Sequence, residues 1–447
     1  MNALFRPGFA RILAAIAATL VAPGALAFCG FYVGKADASL FNDASQVVMV
    51  RDGDRTTITM RNQYKGDLTE FAMVVPVPEV LPEESIKVID NALFERLDAY
   101  SAPRLAEYFD PNPCEVRPER KGMLGMFPQS LAMDAARAKV EEDRGVTVEA
   151  TYTIGEYDVV ILSAKESNGL ETWLRENGYR IPEGAARALA PYIRQDFKFF
   201  VAKVNLAEQA KTGSEFLRPM QFSFRTEKFV LPIRLGMMNA RGPQDLMLWV
   251  LTRTGRVETT NYRTVRLPAN VDIPTYVKGE FPAFYKALFS EQAKREGHRV
   301  VFTEYVWNMS WCDPCAADPL TPAELRGLGV DWVSSGGRRA PQAQPVILTR
   351  LHVRYTPETF PEDLVFQETK DRQNYQARYV LRHPAKVDPE ACPAARAYLD
   401  HVARRQEREA ETLAALTGWD IDRVRDRAGV VPRRRGWWEE WWVGMAP

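Results

Sequence analysis

The sharpest chemical content in this chain lies in Trp311-Cys312-Asp313-Pro314-Cys315. Two thiols at this spacing can exchange disulfides if the first is a thiolate at a helix N-terminus and the second resolves the mixed intermediate. In that reading Cys312 is the nucleophile and Cys315 the resolving thiol. The following residues Ala316-Ala317-Asp318-Pro319 do not launch a long helix; the next helix start is Thr321-Pro322 with Glu324, a capping box with proline in the first turn. A local disulfide that pins a turn after the Val300–Asn308 strand needs no such helix and is the simpler reading. Metal binding would need two further ligands, because one Cys-x-x-Cys is half of a structural zinc site.

Other reactive groups are scattered. The histidines His298, His352, His383 and His401 form no metal-binding pattern, and neither a nucleophile elbow, a phosphate-binding loop nor a dinucleotide fingerprint occurs. No metal and no cofactor is expected. His352 shares a strand face with Arg350 and Arg354, which reads as a solvated face. The tail places Arg433, Arg434 and Arg435 before Trp437, Trp438, Trp441 and Trp442. Indole rings settle at membrane interfaces or on sugar faces, and the arginines could meet anionic headgroups, so this is the candidate surface for peripheral membrane contact. Folding back over an apolar groove of its own protein is the plainer alternative.

Composition bounds the compartment and the partners. Arg6 and Arg11 accompany an apolar run from Ile12 to Val21, and Ala25-Leu26-Ala27 supplies small residues for cleavage before Phe28. This is the pattern of a secretory signal peptide over residues 1–27. Phe28 is too bulky to precede a lipidated Cys29. No later stretch has the roughly 20 apolar residues needed to span a bilayer. Removing the two arginines from 58 basic and 58 acidic residues leaves a net charge of −2, which gives no footing for nucleic acid. An exported, soluble, periplasmic or envelope protein with an unknown envelope partner follows. Its cysteines, Cys29, Cys114, Cys312, Cys315 and Cys392, allow 15 arrangements of two disulfides and one thiol, and spacing does not choose among them.

The elements that must position these groups read as α+β: a strand-rich body, a central block of sheet plus helices, and a helical C-terminal appendage. Alternating segments either side of Asp52-Gly53 form a hairpin from Gln46 to Tyr64. Phe71 to Val77 is a strand whose end is pushed to a sheet edge by Pro76 and Pro78. Residues 91–108 have helical spacing broken near Pro103. The central block runs from Val146 to Asn205, with two strands about Gly155, two short helices and an apolar strand covered on both faces. The first helix is capped by Ser167 or Asn168 and stopped at Asn177-Gly178. Residues 206–219 read as a polar loop, and a strand at 246–252 pairs across Thr254-Gly255 with 257–262. Domain limits follow as 28–332 for the body with a break near 115–145, a linker-like 333–345, a strand group at 346–388 packed on the body, and a helical region at 389–447 whose helix faces solvent and is laid against the body by a narrow stripe of Tyr398, Val402 and Leu413.

The run from Phe28 to Pro78, FCGFYVGKADASLFNDASQVVMVRDGDRTTITMRNQYKGDLTEFAMVVPVP, resembles the opening of a bacterial secreted family catalogued as domain of unknown function 2330. The likeness continues through LDAYSAPRLAEYFDPNPC, YTIGEYDVVILSA, GLETWLRENGY and WNMSWCDPCAADPL, covering most of the chain after the leader. It implies export and no assigned activity, and it supplies no catalytic residues. Some relatives carry a C-terminal membrane segment that this chain lacks. The function expected is a non-enzymatic binding or scaffolding role, the alternative a thiol-disulfide oxidoreductase using Cys312 and Cys315. Disulfide candidates are Cys312, Cys315, Cys29 and Cys114.

Overall fold

The computed structural model describes residues 31–34, 41–65, 71–115, 147–177, 179, 184–211, 217–239, 242–311, 318–333 and 344–430. The expected signal peptide, Cys29, most of the break expected near 115–145, Cys312, Cys315 and the tail from Arg433 lie outside them, as does most of 333–345. The fold is α+β and strand-rich, with strands in several sheets and helices on their outer faces.

The Asp52-Gly53 hairpin forms as expected: β1 (Phe41–Asp52) pairs antiparallel with β2 (Arg55–Lys65), and Gly53 takes the positive φ of 61° that the turn demands. Side chains of β1 sort by period two. Val47 and Met49 enter one core, Val48 and Val50 another, so the strand is buried on both faces. Helix α1 (Ala92–Ser101) stops before Pro103, and β3 (Arg104–Phe109) follows. The break expected near Pro103 is the helix end, and the residues beyond it do not resume a helix. Proline cannot continue the helix, and Leu105 and Tyr108 lie on a strand.

β4 (Gln244–Thr252), β5 (Val271–Asp272), α2 (Phe281–Arg295), β6 (Val300–Asn308), β7 (Ile347–Tyr355) and β8 (Arg378–His383) then build the rest of the frame. The largest sheet runs Arg263–Arg266, β6, β7, β4, β1, β2, Met220–Arg225, Ile86–Val88, with Tyr375–Gln376 added on β6. Expected pairing of 246–252 with 257–262 does not occur. Both edges of β4 are taken, by β7 antiparallel and β1 parallel, while Val257–Thr259 pairs with Leu364–Glu368.

One face of this sheet packs on a five-stranded antiparallel sheet made by Phe31–Gly34, Phe71–Val77, Lys198–Val204, Tyr157–Ser163 and Thr147–Ile154. The central block thus forms as a sheet with helices Ser167–Glu176 and Ala185–Ile193 on its outer face. Lys198–Val204 is a middle strand and is covered on both sides. One detail departs from expectation, in that Glu166 occupies the cap position; Val148 is exposed at a register shift between Val148 and Ala150. Residues 206–211 form a short helix, Leu206–Lys211, started by Asn205, whose Oδ1 accepts from the amides of Ala207 and Glu208. Pro76 lies beyond the pairing with Phe31–Gly34, so its missing donor costs no ladder bond there. Thr321 and Glu324 form the expected capping box, with Pro322 in the first turn.

A third, all-parallel sheet is ordered β5, β8, β3. Against it and α2 pack α3 (Ala395–Thr417) and α4 (Ile421–Ala428). Val402, Ala410, Leu413 and Leu416 bury the apolar stripe of α3, and Arg405 and Glu409 are buried beside it. The appendage is therefore less solvent-facing than its composition implied.

Candidate functional site

Of the expected solvated face, Arg350 and His352 are buried instead and Arg354 is half-buried. These residues alternate on β7 and stand opposite Trp249, Met247 and Asp245 of β4. On the other side, the register of β6 slips between Thr303 and Tyr305, leaving Glu304 as the extra residue of a bulge. A bulge re-aims its side chain, and Glu304, with 0 % exposure, meets Arg350 Nε at 2.7 Å and His352 Nδ1 at 2.7 Å. The Tyr285 hydroxyl of α2 also donates to it. A carboxylate only accepts, so the His352 proton in this bond sits on Nδ1. Phe289 stacks on His352 at 3.6 Å, and Asp98 of α1 takes the other side of Arg350 at 2.7 Å.

Burial alone would raise the Glu304 carboxyl; Arg350 and His352 outweigh it and hold the group at about 2, against an ordinary 4.5. A carboxyl depressed by folding adds stability above its unfolded value and loses it as pH falls through the folded one. Between pH 4.5 and 2 the protein is expected to lose on the order of 3 kcal/mol through this group. Urea midpoints at pH 5 and 2.5 measure it; equal midpoints would contradict it. Glu304, Arg350, His352 and Tyr285 are bonded to one another, so the cluster reads as a structural lock.

An open site lies elsewhere. On α3, His401, Arg405, Arg408 and Thr412 recur at helical spacing and share one face with Glu409. That face meets Val271 and Asp272 of β5 and Arg382 of β8 across a cleft of about 480 Å³, within the size range of small-molecule sites. Arg382 Nε donates to both Asp272 oxygens at 3.0 Å, and its guanidinium lies 5.3 Å from the Tyr108 ring centroid. Asp110, just past β3, accepts from the Tyr398 hydroxyl at 2.8 Å and meets Arg405 Nη2 at 2.8 Å. Arg405 Nε is 3.3 Å from Glu409 Oε1.

These last two ion contacts are close but poorly aligned. Arg405 Nε and Nη2 and Glu409 Oε1 are buried without a hydrogen-bond partner, although Arg405 is only 9 % and Glu409 3 % exposed. Buried polar atoms left so are rare and costly. Among the described residues neither His401 nor Arg408 makes a hydrogen bond or ion pair. The cleft thus offers two uncommitted basic groups at its mouth and an imperfectly satisfied arginine within, chemistry suited to an oxyanion.

Of the cysteines, Cys114 lies in the turn after β3 and is disulfide-bonded to Cys392, just before α3, with Cα atoms 5.7 Å apart. Cys29, Cys312, Cys315, Arg433, Arg434, Arg435, Trp437, Trp438, Trp441 and Trp442 lie outside the described residues. Trp311, before the Cys-x-x-Cys, is 48 % exposed. The cleft residues were missed because α3 was read only for its apolar stripe; the basic stripe beside it was the available signal. Among the described residues no group of three or more His, Cys, Asp or Glu is arranged to hold a metal ion, and no helix is long and apolar enough to cross a membrane.

A family model described as an uncharacterized protein conserved in bacteria, domain of unknown function 2330, matches residues 23–367. No curated protein matches the chain, and no solved structure does. The match ends before β8 and α3, so the cleft is formed where the region after 367 packs against the family body.

Proposed function

The chain belongs to the domain of unknown function 2330 family, and within that membership we propose that it is an exported binding protein of the periplasm or envelope, whose recognition site is the cleft between α3, β5 and β8. The role is binding of a small oxyanion, carboxylate or phosphate-like, and not catalysis. The observation that carries this reading is the set of basic side chains on one face of α3, two of them without partners among the described residues, over a cleft of about 480 Å³. Export rests on the leader before Phe28.

The test is calorimetric titration of sulfate and of oxalate into the chain beginning at Phe28. Binding is expected, and Arg408→Glu is expected to weaken it by about tenfold or more, ~1.4 kcal/mol. Arg404→Glu makes the same charge change on α3 at a residue that does not line the cleft, and should leave affinity unchanged. Equal losses in both variants would mean a diffuse surface field; no binding of either anion would retire the cleft as the site.

Thiol-disulfide exchange by Cys312 and Cys315 stays as the second reading, carried by their spacing in the sequence. Pairing of Cys114 with Cys392 removes both as competitors and leaves Cys312 and Cys315 to each other or to Cys29. A reduction potential below about −300 mV for the Cys312 and Cys315 pair would mark a staple, and one between roughly −270 and −120 mV an exchange site.

A further inference from the structure

We propose that the cleft takes up its oxyanion together with one proton, and that Glu409 carries that proton. This rests on the cleft being the anion site. Glu409 lies one residue beyond Arg408 on α3, is 3 % exposed, and still lines the cleft. Its nearest cation, Arg405, is already opposed by Asp110 at 2.8 Å and reaches Glu409 Oε1 only at 3.3 Å without hydrogen-bond alignment. From β5 it faces Asp272, whose charge is matched by Arg382 of β8. From α3 itself come His401 and Arg408. The elements packed on the rest of α3 bring charges that are spent elsewhere. Arg425 of α4 is bound to Glu407, and Arg295 of α2 is bound to Glu291 and to the Ala415 carbonyl.

Glu409 is therefore a buried carboxyl without a cation of its own, which burial favours in its neutral form. Burial raises it, Arg405 pulls it down, and with Asp272 and Asp110 opposing Arg382 the balance settles at about 7. An anion entering the cleft adds negative charge within a few ångströms and disfavours the carboxylate further. Either the anion is repelled or Glu409 is protonated. The proton comes from solvent and forms an O–H bond on Glu409, no covalent bond to the ligand is made, and the proton returns to solvent when the ligand leaves. A protonated carboxyl also gains a donor, which can face a ligand oxygen beside Arg408. The species bound is in effect the acid, although the anion in solution is fully ionised.

Sulfate is the probe, because it does not itself titrate between pH 6 and 9. Calorimetry in two buffers of different ionisation heat is expected to show proton uptake rising towards one per sulfate above pH 7, with affinity falling up to about tenfold per pH unit. Glu409→Gln, a neutral isostere, is expected to bind sulfate at pH 8.5 as the parent does at pH 6, with no proton uptake. His401→Gln should weaken binding and keep the slope. Sulfate binding without proton uptake, or a slope that disappears with His401, overturns the proposal and leaves the cleft as the anion site. Failure of sulfate and oxalate to bind at any pH overturns both. Should Glu409→Gln not fold, the proton count on the parent protein decides alone.

Discussion

Arg350→Met is expected to cost about 3–5 kcal/mol of folding stability in urea titrations at pH 7, the range for removing one partner of a buried ion pair. Arg350 is 4 % exposed and Glu304 0 %, so no water replaces the guanidinium. The side chain also covers Trp249 at 5.2 Å from its ring centroid, and methionine keeps most of that packing volume while removing the charge. The pH dependence separates the two losses. Without Arg350, burial is the largest influence left on the Glu304 carboxyl, which should rise from about 2 towards or above its ordinary value. The acid-induced loss seen in the parent should then shrink or disappear in the variant. Asp98→Asn touches the same guanidinium from a side chain that is 49 % exposed, and should cost no more than about 1 kcal/mol. A loss below about 1 kcal/mol for Arg350→Met would mean that the cluster contributes little as a charge pair.

How much of this was legible in the sequence depends on how local the deciding interaction is. The Asp52-Gly53 turn, the Thr321 and Glu324 box and the helix stop before Pro103 are each settled within a few residues, and each was readable. β6 was readable too, because nine consecutive residues fit a strand. The burial of Arg350 and His352 was not. Period two places them on one face, but whether that face is wet depends on Tyr285 and Phe289 of α2 and Asp98 of α1, all distant in sequence. Nor does anything near Glu304 announce a bulge; the slip exists because β7 pairs on either side of it. The failed Thr254-Gly255 hairpin has the same cause, since long-range pairing of β4 with β1 and β7 displaced the local option. At the cleft, the stripe of His401, Arg405, Arg408 and Thr412 was readable as a stripe. Its meaning needed β5 and β8, which lie opposite only after the parallel sheet has formed.

Replacing Cys114 and Cys392 together by serine is expected to lower stability by about 2–5 kcal/mol while leaving sulfate affinity within about twofold. The bond spans 278 residues of sequence. Chain-entropy reasoning therefore puts most of its effect in the unfolded state, at about 5.6 kcal/mol for a loop of that length as an upper figure. In the native state the same two segments are held independently. β3 and β8 pair in parallel from Arg104 to Phe109, Tyr398 bonds both Asp110 and the Ala385 amide, and Arg405 faces Asp110. The core under α3, through Ala410, Leu413 and Leu416 against Phe284 and Phe289, fixes the helix from its other side. With that many native ties, losing the sulfur bridge should not move His401, Arg408 or Glu409 relative to Arg382. Denaturant unfolding and sulfate calorimetry on the same preparation test both halves of the statement. If affinity falls with stability, the bridge is holding α3 in register over the cleft. Reduction of Cys114–Cys392 would then be a route by which the redox state of the surroundings reaches the ligand site.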